Sequence, residues 1–372
     1  MRIGIVVGRF PPDLLGGAEL QSQQISGELA QRGHEVTVFT RRYHGRPYRE
    51  YQDGYLIRRR NELPVSGARM VWDTFPALQD IGRHRPRPQV LLCYQTSNSG
   101  LIGVLAQSLF GIPAVVSIRG NREYRIRGSR VSRLVVILVY RRAQYLIVQS
   151  PRLVEDLHAQ LRLGGETDLS EQLKSKVRVI PNGIRPLHGI RSTGKKVVYV
   201  GRLIRNKGVA DLLLAMRELP GQEVLIVGDG PDRGRLEELA QGMPVVFAGQ
   251  VAPSSVIDYL RQARVLVLPS HLGDGLPNAI LEAMACGVPV VATRTAGIPD
   301  VVRHKQTGFL FEMGDSQQMA KYIDSLIKDD GLWQKMGERS LEEVQAYSWD
   351  VVAPQIEQLL VDAISKHIAS AT

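Results

Sequence analysis

Along nearly the whole chain, short apolar runs alternate with segments whose apolar positions recur every three or four residues. Apolar runs at 2–7 (RIGIVV), 34–40 (HEVTVFT), 88–94 (PQVLLCY), 113–119 (PAVVSIR) and 144–150 (QYLIVQS) predict strands. Helical patterns lie between them. In 16–33, Leu20, Ile25 and Leu29 fall on one face, and further helical segments are predicted at 99–110 and near 129–142. Short Val- and Ile-rich strands separated by helices predict a parallel sheet covered on both faces. A stretch rich in proline, glycine and basic residues, 177–196, then breaks the alternation and reads as a linker. The pattern restarts with strands predicted at 197–203, 223–230, 244–250, 265–270 and 289–294, each followed by a helical pattern. A last helix is predicted over about 350–367.

A chain of 372 residues is too long for one ordinary core. The pattern divides it into a Rossmann-like α/β domain over 1–188, a second over 189–348, and a helix within 349–372 expected to cross back to the first. In open α/β sheets, ligands sit beyond the carboxyl ends of the strands. Two such sheets facing one another would form a cleft where ligands from both meet. No fixed-period repeat interrupts this scheme.

Composition narrows the class. Hydrophobic residues make up 44% and charged residues 23%, a soluble globular balance. The longest strongly apolar run, Leu134 to Tyr140, is too short to span a bilayer. The opening MRIGIVVGRFPPD lacks a signal-peptide cleavage site and reads as a first strand. Cys93 and Cys286 lie in apolar segments and read as reduced core thiols of a cytoplasmic protein. Charge is uneven. Residues 1–190 carry 28 Lys+Arg against 15 Asp+Glu, a net of +13, whereas the remainder carries 19 against 22, a net of −3. A basic first half suggests an anionic partner such as acidic lipid headgroups, a phosphorylated acceptor or nucleic acid.

Four segments carry candidate chemistry. In HLGDGLPNAILEAMACG (271–287) a helix is predicted to start near Pro277, with Leu276, Asn278 and Ala279 offering early amides to an anion. Asp274 precedes that helix and Glu282 lies one turn inside it. Read alone, the segment fits a capped helix with solvated acids equally well. In VGRLIRNKG (200–208), Arg202 and Lys207 stand just past a strand end, where a fork and a point charge can hold a diphosphate. Alone, two solvated charges explain them better. In PPDLLGGAEL (11–20), Gly16 and Gly17 permit close backbone approach to a ligand, and Glu19 complements the helix dipole. In VVSIRGN (115–121), Arg119 and Asn121 follow a strand end and are cleft candidates. Arg122, Arg125, Arg127, Arg130 and Arg133 then precede a segment apolar on all sides, which suits either an anionic membrane surface or the core.

Other patterns fail. GIRSTGKK (189–196) has phosphate-loop spacing, but Lys196 replaces the Ser/Thr and a strand follows. GDGPDR (228–233) has Arg233 where a dinucleotide fingerprint needs glycine. The eight histidines show no metal-ligand spacing. The arginines lack interleaved aromatics or a nucleic-acid module, so no nucleic-acid partner is expected.

Seven segments in order resemble the family 4 retaining glycosyltransferases of GT-B fold: GGAEL with RGHEVTVFT, VIPNGI, GRLIRNKG, LIVGDGP, GLPNAILEAMACGVPVVAT, AGIPDVV and TGFLF. The resemblance implies an α/β GT-B architecture of two facing Rossmann-like parallel-sheet domains with a cleft between them. It implies a UDP-, GDP- or ADP-linked sugar as co-substrate, bound mainly by the second domain, with no cofactor and no metal. By that likeness Arg202 and Lys207 neutralise the diphosphate, Glu282 holds the ribose, and Gly16 and Gly17 lie against the donor. Asp274 stands where the family motif has its first glutamate, near the transferred sugar, and Arg119 stands where many members have histidine. A hydroxyl of a lipid-linked, glycan or small-molecule acceptor would attack, with the protein cytoplasmic or peripheral on the cytoplasmic membrane face. The two departures leave two alternatives: a catalytically impaired subunit that still binds sugar nucleotides, and a same-fold sugar-nucleotide epimerase.

Overall fold

The computed structural model describes residues 1–12, 16–43, 45–61, 73–120, 130–185, 192–271 and 275–371. The chain forms two compact units, one of residues 1–183 with 349–372, the other of residues 184–348. The first holds an eight-stranded sheet: β1 (Arg2–Val6), β2 (Glu35–Arg41), β3 (Arg49–Gln52), β4 (Tyr55–Arg60), β5 (Val90–Tyr94), β6 (Ala114–Ser117), β7 (Tyr145–Val148) and β8 (Val177–Val179). Its order is β3-β4-β2-β1-β5-β6-β7-β8, all parallel except the β3–β4 hairpin. The parallel strands are apolar because helices cover both faces. β5 and β7, for example, are buried at every position.

The hairpin and β8 depart from the sequence pattern. β4 reads YLIRRR, and its three arginines mask a strand whose Tyr55 and Ile57 face the core. Val177–Val179 reads as linker but pairs with β7.

The helix Trp349–Ala371 completes the first core, packing Trp349, Val352, Ile356, Leu359 and Leu360 with Ile3, Ile5, Val38 and Leu92. Full burial of side chains of this size contributes about 1.5–3 kcal/mol each. The helix starts against Gly183, where a methyl group would lie 2.3 Å from the Trp349 ring. Gln21, buried on the helix Gly17–Gln31, fixes Gly183 from the other side: its amide nitrogen donates to the Gly183 carbonyl at 2.8 Å and its oxygen accepts from the Gly183 amide at 3.0 Å.

The second unit holds six parallel strands, β9 (Lys196–Val200), β10 (Val224–Val227), β11 (Val245–Gly249), β12 (Ala263–Leu268), β13 (Val290–Thr293) and β14 (Gly308–Phe311). Their order is β11-β10-β9-β12-β13-β14. Helices Val209–Met216, Asn278–Ala285 and Ser316–Lys328 bury Leu212, Leu213, Ile280, Met284, Met319 and Ile323 in its core. Both cysteines are free and buried. Burial raises the Cys93 thiol pKa, and Cys286 is pushed up to about 12 by burial and then by the nearby Glu282 charge.

The segment near 129–142 is a helix, Arg130–Arg142, but it is not apolar all round in its packing. Ile137, Val139 and Tyr140 turn inward, whereas Val131, Leu134 and Leu138 are 56%, 66% and 37% exposed. Among the described residues no helix is long and apolar enough to cross a membrane.

Candidate active site

In the second sheet the order of strand addition reverses between β9 and β12. Connections leave such a pair in opposite directions, and a crevice opens beyond their carboxyl ends. The Arg202–Lys207 segment leaves from β9 and the segment leading to Glu282 leaves from β12.

The loop after β9 is held from below. The buried Tyr199 hydroxyl donates to the Arg202 carbonyl at 3.1 Å, and the Leu203 amide donates to the Asp229 carbonyl at 2.9 Å. The Arg202 side chain is exposed and has no carboxylate partner among the described residues. Lys207, half-buried, ends a one-turn 3-10 helix, Arg205–Lys207. Gly208 follows with φ +68°, and a methyl there would lie 1.9 Å from the Pro269 carbonyl oxygen. Only glycine meets both demands, so the β9 and β12 loops touch through bare backbone. Gly228, with φ +134°, does the same against Gly201. The GDGP turn after β10 thus supports this loop.

The loop after β12 is stitched to the same place. The His271 amide donates to the Asn206 carbonyl at 2.9 Å, and its ring hydrogen-bonds Asp211 on the helix Val209–Met216. Thr293 Oγ1 donates to the Ser270 carbonyl at 2.7 Å, and the Gly297 amide to the Gly275 carbonyl at 3.3 Å. Neither Asp211 nor His271 stands out in the sequence, because nothing local links positions sixty apart.

The helix begins at Asn278, one residue later than the proline pattern suggests. Pro277 is its cap, with φ −66° and an extended ψ of 124°. Leu276 is therefore buried before the helix and is not one of its early residues. Ala279 is buried in the first turn and Asn278 half-buried. Glu282 retains some exposure, yet burial among its apolar neighbours pushes its pKa up to about 7. Desolvation penalises the charged form, and no cation among the described residues offsets it. Asp274 and Asn121 lie outside the described residues.

In the first unit Gly16 caps the helix Gly17–Gln31, and Glu19 curls back over it. A methyl at Gly16 would lie 2.5 Å from Glu19 Oε2. The carboxylate sits at the positive end of the helix, where it is favoured. Arg119 follows β6, with its guanidinium 4.5 Å from the centre of the Tyr94 ring and donating to Asn182 Oδ1. The ends of β5, β6 and β8 thus gather Tyr94, Arg119 and Asn182. The tyrosine was not predicted, because it reads as the last residue of an apolar strand.

The model for glycosyl transferases group 1 matches residues 183–343, and that for a glycosyl transferase 4-like domain matches residues 16–183. The chain belongs to the family 4 glycosyltransferases. This glycosyltransferase is 29% identical to the sulfoquinovosyl transferase of Arabidopsis thaliana over 95% of its own length and 72% of that protein's. Its fold is that of sucrose-phosphate synthase from Thermosynechococcus elongatus, at a TM-score of 0.82 and 23% identity over the whole of both chains. It also matches Anabaena HepE, solved with UDP-glucose, at a TM-score of 0.75 and 20% identity over 97% of this chain and 100% of that one. Its two sheets, parallel apart from the β3–β4 hairpin, are the α/β sheets of the GT-B fold.

Proposed function

We propose that this glycosyltransferase moves a sugar, with retention of anomeric configuration, from a nucleoside diphosphate sugar to an acceptor hydroxyl. The observation that carries the reading is the meeting of the Arg202–Lys207 loop and the loop after β12 at the switch point of the second sheet. In this proposal the C1–oxygen bond breaks and the electron pair leaves with the diphosphate. Arg202, Lys207 and the positive end of the helix Asn278–Ala285 stabilise that charge without a metal ion. The backbone of Leu276, Pro277 and Ala279 lies along the donor and Glu282 accepts from the ribose hydroxyls, while Asp274, outside the described residues, is assigned to the transferred sugar by the family likeness alone. HepE, of the same fold, is solved with UDP-glucose, which supports a UDP-linked donor among the three nucleotide classes. Incubation with UDP-, GDP- and ADP-sugars in the presence of EDTA should release nucleoside diphosphate from at least one. Release from none of them, with or without divalent metal, overturns the proposal.

The helix Arg130–Arg142 supports the reading that the acceptor is met at a membrane surface. Its exposed Val131, Leu134 and Leu138 are flanked by the exposed Arg130, Arg141 and Arg142, a pairing suited to acidic headgroups over acyl chains. The protein should float with anionic liposomes at low salt, and L134E/L138E should stay in the soluble fraction. Parent protein left wholly soluble rejects the membrane reading and leaves the donor reading standing.

A further inference from the structure

Strand β4 carries Arg58, Arg59 and Arg60 in succession, in a sheet whose strands β5, β6 and β7 are apolar and buried. They wall a cavity of about 1100 Å³ in the first unit, formed by β2, β3, β4 and the helix Thr74–Arg83. Its lining holds six arginines, Arg49, Arg58, Arg59, Arg60, Arg83 and Arg85, against two acids among the described residues, Glu35 and Asp80. The topology gathers them: Arg49 lies opposite Arg58 in the hairpin, and Arg83 ends the helix beside it.

The internal acids do not balance this charge. Asp80 is taken by Arg58, whose Nε donates to it at 3.1 Å. Arg59 is almost wholly buried and reaches Glu50 at 2.6 Å, yet its Nε and Nη2 have no hydrogen-bond partner among the described residues. Arg60 is about nine-tenths buried, and its Nη1 has no hydrogen-bond partner among the described residues; burial, then the neighbouring Arg41, pushes its pKa down to about 10 against the opposing charges of Asp73 and Asp80. Arg49 and Arg83 are exposed and have no carboxylate partner among the described residues. Burial and then the Arg58 charge hold the pKa of His84, on the same wall, below the usual imidazole range. Crowded guanidinium groups repel one another in a partly desolvated site, and an anion bound among them relieves that repulsion.

We propose that this cavity is a binding site for a phosphate-bearing ligand, separate from the donor site of the second unit. Guanidinium forks match phosphate oxygens in pairs, which makes phosphate the anion this set suits best. The volume of about 1100 Å³ slightly exceeds the roughly 300–1,000 Å³ of organic-ligand sites, which leaves room for a phosphate carried on a larger molecule. A soluble phosphorylated compound and a lipid headgroup share this chemistry. The inference does not depend on the transfer reaction.

The test uses the full chain carrying Arg202→Ala and Lys207→Ala, which removes both cations of the proposed diphosphate site. Inorganic pyrophosphate is titrated by calorimetry at low salt, and phosphatidylcholine vesicles with and without phosphatidylglycerol are used in sedimentation. Adding Arg49→Gln and Arg83→Gln removes two exposed cations without disturbing an internal pair, and a melting curve confirms that the variant is folded. Binding of at least one probe should weaken about tenfold or more in this variant, through lost charge-assisted hydrogen bonds. Weakened pyrophosphate binding marks a soluble ligand, and a loss confined to phosphatidylglycerol vesicles marks a headgroup. If the parent binds neither probe, or the variant binds both as tightly as the parent, the site is overturned.

Discussion

Lys207→Ala is expected to lower kcat for donor turnover by about 10²- to 10³-fold, the usual loss when one preorganised group is removed from developing charge. Lys207 ends the 3-10 turn after β9, and the next residue, Gly208, lies against the β12 loop. The substitution therefore removes a charge and leaves the backbone that positions it. The charge on the diphosphate grows as the glycosidic bond breaks, so the loss should fall on kcat more than on KM. Arg205→Ala is the matched control. Arg205 lies two residues away and is exposed. A cation acting only through the general field in screened solvent should change turnover by no more than about threefold. Steady-state rates for the two variants decide the matter. Equal, small losses would remove Lys207 from the transition state.

The alternation of apolar and helical patterns exposes most strands of both sheets, because a parallel strand buried on both faces must be apolar throughout. Where burial is one-sided or charged, the pattern gives less. The β3–β4 hairpin was missed because REYQ and YLIRRR look like solvated surface, although Tyr55 and Ile57 are wholly buried. β8 was absorbed into the linker because three residues carry too little periodicity to register. Of the proposed site, Arg202, Lys207 and Glu282 were singled out from segments contiguous in sequence. What joins those segments was not legible. The His271–Asp211 pair, the Asn206 carbonyl under the His271 amide and the Gly208–Pro269 contact all arise from strands β9 and β12 lying side by side. Sheet order creates these neighbours, and no single stretch of sequence encodes them. The proline at 277 shows the opposite fault: a residue type common at a first helical position serves as the cap, because its ψ is extended.

Glu282→Gln is expected to make the second unit more stable at pH 8 and its hold on nucleotide sugar weaker. Burial pushes the Glu282 pKa up to about 7, whereas an unfolded chain titrates a glutamate near 4.3. Between those values the folded protein binds more protons than the unfolded one, so stability falls as pH rises through the window and levels off above it. The full span amounts to at most about 4 kcal/mol, since one pKa unit is worth about 1.4 kcal/mol. Glutamine is neutral throughout, so the variant should lose this slope. Parent and variant should converge near pH 4.5 and separate by several degrees in Tm at pH 8, at roughly 2–4 °C per kcal/mol for a unit of this size. The same charge accepts from ribose hydroxyls in the proposed complex, and losing a charge-assisted hydrogen bond of about 1.5–3 kcal/mol should weaken donor affinity tenfold or more. A carboxylate kept at a cost to the unliganded fold, with no cation among the described residues to offset it, fits a binding role. Melting curves from pH 4.5 to 8, with and without nucleotide sugar, test both halves. Parallel curves would show that Glu282 pays no such penalty, and unchanged affinity would remove it from the donor site.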